Sequence, residues 1–145
     1  VTATDISPDA VACATRNVEA LELGEHVQIV ETDCVDGIEG PFDVLVSNPP
    51  YIPSADIASL DVSVREHEPR LALDGGEDGL DFYRKITAES VQYLRKGGRL
   101  LFEIGYDQGE AVSALMKEHF ADVRVIQDLA GKDRVVCGTW QTAGV

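Results

Sequence analysis

The sequence predicts an α/β fold: a mostly parallel sheet with helices on both faces and an antiparallel hairpin at its carboxyl end. Three observations predict it. Short β-branched runs alternate with helical stretches. The run Phe42-Asp43-Val44-Leu45-Val46 is almost continuously apolar, the kind of strand a parallel sheet buries on both faces. The last two strand-like runs are separated by a turn at Gly131-Lys132-Asp133, short enough for a hairpin.

In order along the chain, Val1 to Asp5 reads as a strand, and Ser7-Pro8 supplies an N-cap followed by proline at the first helical position. Val11, Ala14, Val18 and Leu21 share one face of the resulting helix, which Gly24 is expected to stop. Val27 to Val30 and Phe42 to Val46 follow as strands. Pro49 to Gly79 contains four of the six prolines and Gly75, Gly76 and Gly79, without sustained periodicity, and reads as a long functional loop. A helix resumes near Asp81, with Tyr83, Ile86, Ser90 and Leu94 on one side, and is expected to end at Gly97-Gly98. Arg99 to Ile104 is the next strand. Asp107 and Glu110 resemble a capping box, and Ala111, Val112, Leu115 and Met116 form the buried stripe of the next helix. Val123 to Gln127 and Arg134 to Trp140 close the chain.

The 145 residues, 44% of them apolar, fit one domain with an ordinary core. Twelve basic against 26 acidic residues give a net charge of -14, which disfavours nucleic acid as a partner, because a phosphate backbone is bound by releasing counterions to cations. Cys13, Cys34 and Cys137 are odd in number and lack ligand spacing, so neither a disulfide framework nor a metal site is expected. A reducing, cytoplasmic location fits them. No run approaches a membrane span, and the amino end carries no signal pattern. The start at Val1, inside a strand and without methionine, predicts a fragment.

Open α/β sheets bind ligands at the carboxyl ends of their strands, which directs attention to Asp5, Asp33-Cys34, Ser47 to Tyr51, and Glu103 to Tyr106. Asn48-Pro49-Pro50-Tyr51 directly after a buried strand is the strongest signal, a tetrapeptide pattern expected by chance in roughly one chain in a thousand. It suits methylation of a planar –NH2 group. An amide nitrogen is a weak nucleophile because its lone pair is delocalised into the carbonyl. Acceptors aimed at both N–H bonds localise that pair, and the Asn48 side-chain oxygen with the Pro49 carbonyl supplies them. Prolines 49 and 50 hold the acceptors in place before substrate arrives, and Tyr51 covers one face of the planar group. Asp5 at a strand tip suits ribose hydroxyls, and Asp33-Cys34 borders the same edge, where Cys34 taken alone reads as a buried small residue. Glu103 is read as fixing the loop by hydrogen bonds, and His26, His67 and His119 as surface or loop residues.

Thr4-Asp5-Ile6-Ser7-Pro8-Asp9-Ala10, Val46 to Ile52, Glu68-Pro69-Arg70-Leu71-Ala72-Leu73, Asp78-Gly79-Leu80, Glu103-Ile104-Gly105 and Asp133-Arg134-Val135-Val136 occur in an order that resembles the HemK/PrmC family, the release-factor glutamine methyltransferases. The resemblance runs over nearly the whole chain. It implies a class I, Rossmann-like methyltransferase fold with S-adenosylmethionine as donor and a peptide-chain release factor as protein substrate. Asp5 is implied as the ribose ligand and Cys34 as the adenine neighbour, with Asp33 and Asn48 on the cofactor side as well. Asn48, Pro49, Pro50 and Tyr51 are implied as the catalytic residues that hold the glutamine. Against the family pattern, residues 1–145 form a single methyltransferase domain without the first strand, the glycine-rich loop or the N-terminal helical domain. Cys34 stands where a bulky apolar or aromatic residue is frequent. Adenine in DNA, guanine in RNA and a ribosomal-protein glutamine are alternative planar amines. A fragment without its first strand is also expected to self-associate and to be inactive in isolation.

Overall fold

The computed structural model describes residues 1–141, which form two compact units, Val1–Gly40 and the described residues from Pro41 onward. Each has its own sheet, of two and of four strands.

In the first unit, strand β1 (Thr2–Asp5) leads into helix α1 (Pro8–Ala20) and strand β2 (Gln28–Glu31). Ser7 caps the helix by accepting the Ala10 N–H at 3.3 Å, with Pro8 opening the first turn. The stop is not Gly24. Glu22 takes the left-handed conformation at φ 56°, Leu23 N–H returns to the Val18 carbonyl at 2.9 Å, and Glu22 N–H to that of Glu19 at 3.0 Å. That is a Schellman closure built on a non-glycine residue, two positions earlier than the glycine suggests. Val11, Ala14 and Val18 are half-buried as their shared face predicts, whereas Leu21, beyond the last turn, is exposed. Strands β1 and β2 run parallel, Thr2 opposite Gln28 and Asp5 opposite Glu31, so their carboxyl ends share one edge.

The second unit contains β3 (Phe42–Ser47), α2 (Val62–His67), α3 (Asp81–Ser90), β4 (Leu94–Glu103), α4 (Gly109–Lys117), β5 (Phe120–Gln127) and β6 (Asp133–Trp140). The strand order is β3-β4-β6-β5, with β3 parallel to β4 and β6 antiparallel to both neighbours. The terminal hairpin is therefore as predicted. Helix α3 packs on β4, α4 packs on β5 and β6, and the two helices touch each other. Between them and the sheet lie Tyr83, Ile86, Leu100, Phe102, Val112, Met116 and Val136, all fully or almost fully buried. The Tyr83 ring meets Phe102 edge-on, centroids 5.1 Å apart.

Three local readings are corrected. Strand β3 is not buried on both faces: Leu45 and Ser47 register with Leu100 and Phe102, but Val44 and Val46 lie beside Arg99 and Leu101 and are 50% and 71% exposed. Both long helices of this unit gather on the opposite face, so the apolar run reflects more than the burial this unit supplies. Helix α3 ends at Ser90 and not at Gly97-Gly98, because Leu94 already belongs to β4 and Phe42 N–H is bonded to the Tyr93 carbonyl at 2.7 Å. Helix α4 has no capping box. Its N-cap position is Gln108, whose side chain does not cap, and its buried face is Gly109, Val112, Ser113 and Met116, with Ala111 exposed. The segment 49–79 is also more structured than a plain loop, since it holds α2, 3-10 helices at Ser54–Ser59 and Arg70–Ala72, and a parallel bridge between Ile52 and Asp74. No helix among the described residues is long and apolar enough to cross a membrane.

Candidate active site

In the first unit the edge formed by the carboxyl ends of β1 and β2 gathers Asp5, Asp33 and Cys34. Asp5 Oδ1 accepts the Ser7 N–H at 2.8 Å, an Asx turn that fixes the exposed carboxylate at the strand tip. The Thr32 N–H extends the pairing to the Asp5 carbonyl at 3.0 Å. Thr4 Oγ1 donates to the Cys34 carbonyl at 2.7 Å, and Cys34 is held at φ 54° beside Asp33, both half-buried. A carboxylate acceptor next to two half-buried small side chains at the end of parallel strands fits the hydroxyls and one face of a nucleoside.

In the second unit Asn48 to Tyr51 leaves the end of β3. Asn48 is exposed, Pro49 is buried, and Pro50 and Tyr51 are half-buried. Neither the Asn48 carboxamide nor the Pro49 carbonyl has a protein partner among the described residues. Beyond Tyr51 the chain is tied down tightly. Ile52 exchanges hydrogen bonds with the Leu73 carbonyl and the Gly75 N–H at 3.0 and 2.9 Å. Gly75 permits the approach: a Cβ there would lie 2.8 Å from Tyr51 Cα and 2.9 Å from the Pro50 carbonyl oxygen. Gly79, at φ 75°, does the same on the far side, where a Cβ would lie 2.4 Å from the Tyr51 carbonyl oxygen.

The side chain that joins these segments is Gln108. Its Nε2 donates to the Tyr51 carbonyl at 2.9 Å and to that of Gly79 at 3.4 Å, while its Oε1 accepts the Gly105 N–H at 2.9 Å and the Tyr83 O–H at 3.4 Å. Tyr83 also donates to the Glu103 carbonyl at 2.9 Å. Burial, then the neighbouring Tyr51 and Glu103, push its phenol far above the usual range, so it remains a donor. A second clamp holds the loop: Asp74 accepts from the Ser54 hydroxyl, from the Gly76 N–H at 3.1 Å and from Arg70 at 3.0 and 3.1 Å, which keeps its carboxyl below the ordinary value. Asp78, likewise lowered, is paired with Arg84.

A cavity of about 380 Å³ opens beside this cluster, with Tyr51, Gly105, Tyr106, Asp107, Gln108 and Arg134 in its wall. Tyr51 faces it, whereas Asn48 is not part of the lining. Arg134, from the Asp133-Arg134-Val135-Val136 motif, pairs with Asp128 at 3.3 Å and reaches the Ile104 carbonyl at 3.4 Å. Glu103 does not fix the loop through its carboxylate; only its carbonyl participates, and Gln108 and Asp74 do the fixing. His26, His67 and His119 are exposed, and no group of metal-ligating side chains occurs among the described residues. Gln108, Gly75 and Gly79 were not among the expected site residues. Their signal was the clustering of polar and glycine residues at the ends of predicted elements, which gives no partner 57 positions away.

The fold is that of class I S-adenosylmethionine-dependent methyltransferases. A methyltransferase from Pyrococcus furiosus has this fold, with a TM-score of 0.69 over 99% of the present chain and 63% of its own, at 21% identity. A methyltransferase from Streptococcus mutans solved in complex with SAH aligns with a TM-score of 0.58 over 97% of this chain and 75% of its own, at 20% identity. Residues 1–64 match the methyltransferase small domain model. The release factor glutamine methyltransferase of Caulobacter vibrioides is 46% identical over 136 residues, 92% of this chain and 47% of that protein. Over more than nine-tenths of its length the chain is similar to release factor glutamine methyltransferases, and it spans about half the length of the curated relatives it matches.

Proposed function

We propose that the full-length protein transfers a methyl group from S-adenosylmethionine to the side-chain amide nitrogen of a glutamine in a peptide-chain release factor. The observation that carries the reading is the pair of unengaged acceptors, Asn48 Oδ1 and the Pro49 carbonyl, on a segment made rigid by two prolines and clamped behind Tyr51. Two acceptors match the two N–H bonds of a primary amide. As methyl transfer begins, the nitrogen gains positive character, and both acceptors stabilise it more strongly than they stabilise the planar ground state. Tyr51 excludes water from one face of the amide.

The donor supplies a methyl group on a positively charged sulfur. Asp5 would accept from its ribose hydroxyls, and Asp33 and Cys34 would border its base. The Streptococcus mutans relative of the same fold binds the product form of this donor, which supports the assignment. The names of the sequence relatives support a release factor as substrate. The net charge of -14 favours a protein acceptor over DNA or RNA. In this reading residues 1–145 act as one methyltransferase domain of a cytoplasmic enzyme, and self-association of the isolated chain proceeds through the β3 edge, where Val44 and Val46 are exposed.

The test offers labelled donor to the full-length protein with a release factor, a ribosomal protein and duplex DNA in parallel. Label in the release factor alone is expected. Label in DNA, with none in either protein, overturns the reading.

A further inference from the structure

We infer that Gln108 is a positioning residue for methyl transfer: its carboxamide holds the Tyr51 backbone, and through it the Asn48–Tyr51 segment, in the geometry that receives the substrate amide. The inference rests on the function proposed above and extends it to a residue whose carboxamide is engaged by protein groups.

Gln108 is 9% exposed, and its carboxamide is engaged at both its nitrogen and its oxygen. Two N–H bonds go to the carbonyls of Tyr51 and Gly79, and the oxygen takes the Gly105 N–H and shares the Tyr83 O–H with the nearer Glu103 carbonyl. The partners fix which way the amide points, since a flipped group would set its oxygen against two carbonyls. Three chain segments that share no strand pairing with one another are thereby joined: the Asn-Pro-Pro-Tyr turn, the Gly79 turn and the Gly105 turn. Gly105 lies just beyond β4 and Tyr83 lies in α3, so the side chain transfers the rigidity of those elements to Tyr51. Gln108 also stands at the N-cap position of α4 without capping it. A serine or aspartate there would serve the helix better. The choice of glutamine follows from the reach to residue 51.

The experiment uses the full-length protein with Gln108→Glu and Gln108→Met, both close in volume to the original. At about pH 8 an ionised glutamate turns a carboxylate toward two carbonyls. Its protonated form regains one donor, and burial raises the pH at which this happens. For Gln108→Glu the expected result is a kcat lowered roughly ten- to a hundredfold at about pH 8, as for a small misplacement of reacting groups, with KM for donor and release factor within about threefold. Relative to the parent, kcat recovers as the pH is lowered toward about 6, while Gln108→Met stays low throughout. Amide exchange at the Gly105 N–H, read by NMR on the same folded samples, remains protected in Gln108→Glu and accelerates in Gln108→Met. If kcat per folded molecule is unchanged in both variants and only the unfolding midpoint falls, Gln108 is structural and the inference is overturned. A parent protein inactive on every amide substrate removes the functional reading and the inference together. An active parent with indifferent Gln108 variants removes the inference alone.

Discussion

Gln108 Nε2 lies 2.9 Å from the carbonyl oxygen of Tyr51, a residue 57 positions earlier, and the Gly79 turn packs against the same carbonyl. The contact sets a limit on what Gly79 can become. At φ 75° a side chain is strained, and a Cβ would lie 2.4 Å from that oxygen. Gly97, at φ 80° with nothing within 4 Å of its Cβ position, carries the strain without the clash. Gly97→Ala should therefore lose about 1–2 kcal/mol, the left-handed cost alone. Gly79→Ala should lose distinctly more, as read from urea unfolding midpoints. Equal losses would show that the close approach at Tyr51 is not tight in solution.

Asn48→Ala removes one of the two acceptors from an exposed position whose side chain makes no hydrogen bond among the described residues. Stability should be unchanged. Turnover of the full-length protein should fall on the order of a hundred- to a thousandfold, the effect of losing one preorganised transition-state hydrogen bond, while donor affinity by calorimetry stays within a few fold. Near-normal turnover would remove Asn48 from the chemistry.

Asp5→Ala takes away a carboxylate that the Ser7 N–H fixes at the tip of β1. Donor binding should weaken by about 1.5–3 kcal/mol, the range for hydrogen bonds to a charged group. Titration calorimetry with S-adenosylmethionine decides it, and an unchanged affinity contradicts the assignment.

Acid should loosen the loop through Asp74. The Ser54 hydroxyl, then the Gly76 N–H and Arg70, hold its carboxyl below the ordinary value of 3.8. A carboxyl depressed in the folded state contributes stability that is complete above the unfolded value and is lost as the pH falls through the folded one. Asp74→Asn should therefore destabilise the protein at neutral pH and flatten the fall in stability below pH 3.8, measured as denaturation midpoints against pH. A variant that follows the parental acid limb would show that the clamp is not formed.

Most of this architecture was legible because it rests on local signals. Ser7-Pro8 started α1 as written, the final hairpin followed from its turn, and Asn48 to Tyr51 fell at the end of β3 as its position after an apolar run implied. The misreadings arose where a tertiary contact overrode a local pattern. Leu94 continues the helical stripe of Tyr83, Ile86 and Ser90 but is recruited by pairing with Phe42. Gly24 is a good stop signal, yet the chain had already closed on Glu22. Val44 and Val46 carry the pattern of a doubly buried strand but are exposed, because burial depends on what packs against the sheet. Within the site, Asn48 announced itself by its neighbours, whereas Gln108 did not: its role is written in contacts with residues 51, 79, 83 and 105 that no spacing rule connects.

The central claim is that Asn48 and Pro49 hold a primary amide while its nitrogen is methylated. The most direct measurement is the identity of the methylated atom, obtained by tandem mass spectrometry and NMR of a release factor treated with the full-length protein and S-adenosylmethionine carrying a carbon-13 methyl group. The account predicts a single labelled methyl on the side-chain nitrogen of one glutamine, and labelling slowed on the order of a hundred- to a thousandfold with the Asn48→Ala protein. A methyl on a carboxylate oxygen or a backbone nitrogen, or equal labelling by the Asn48→Ala protein, would contradict it.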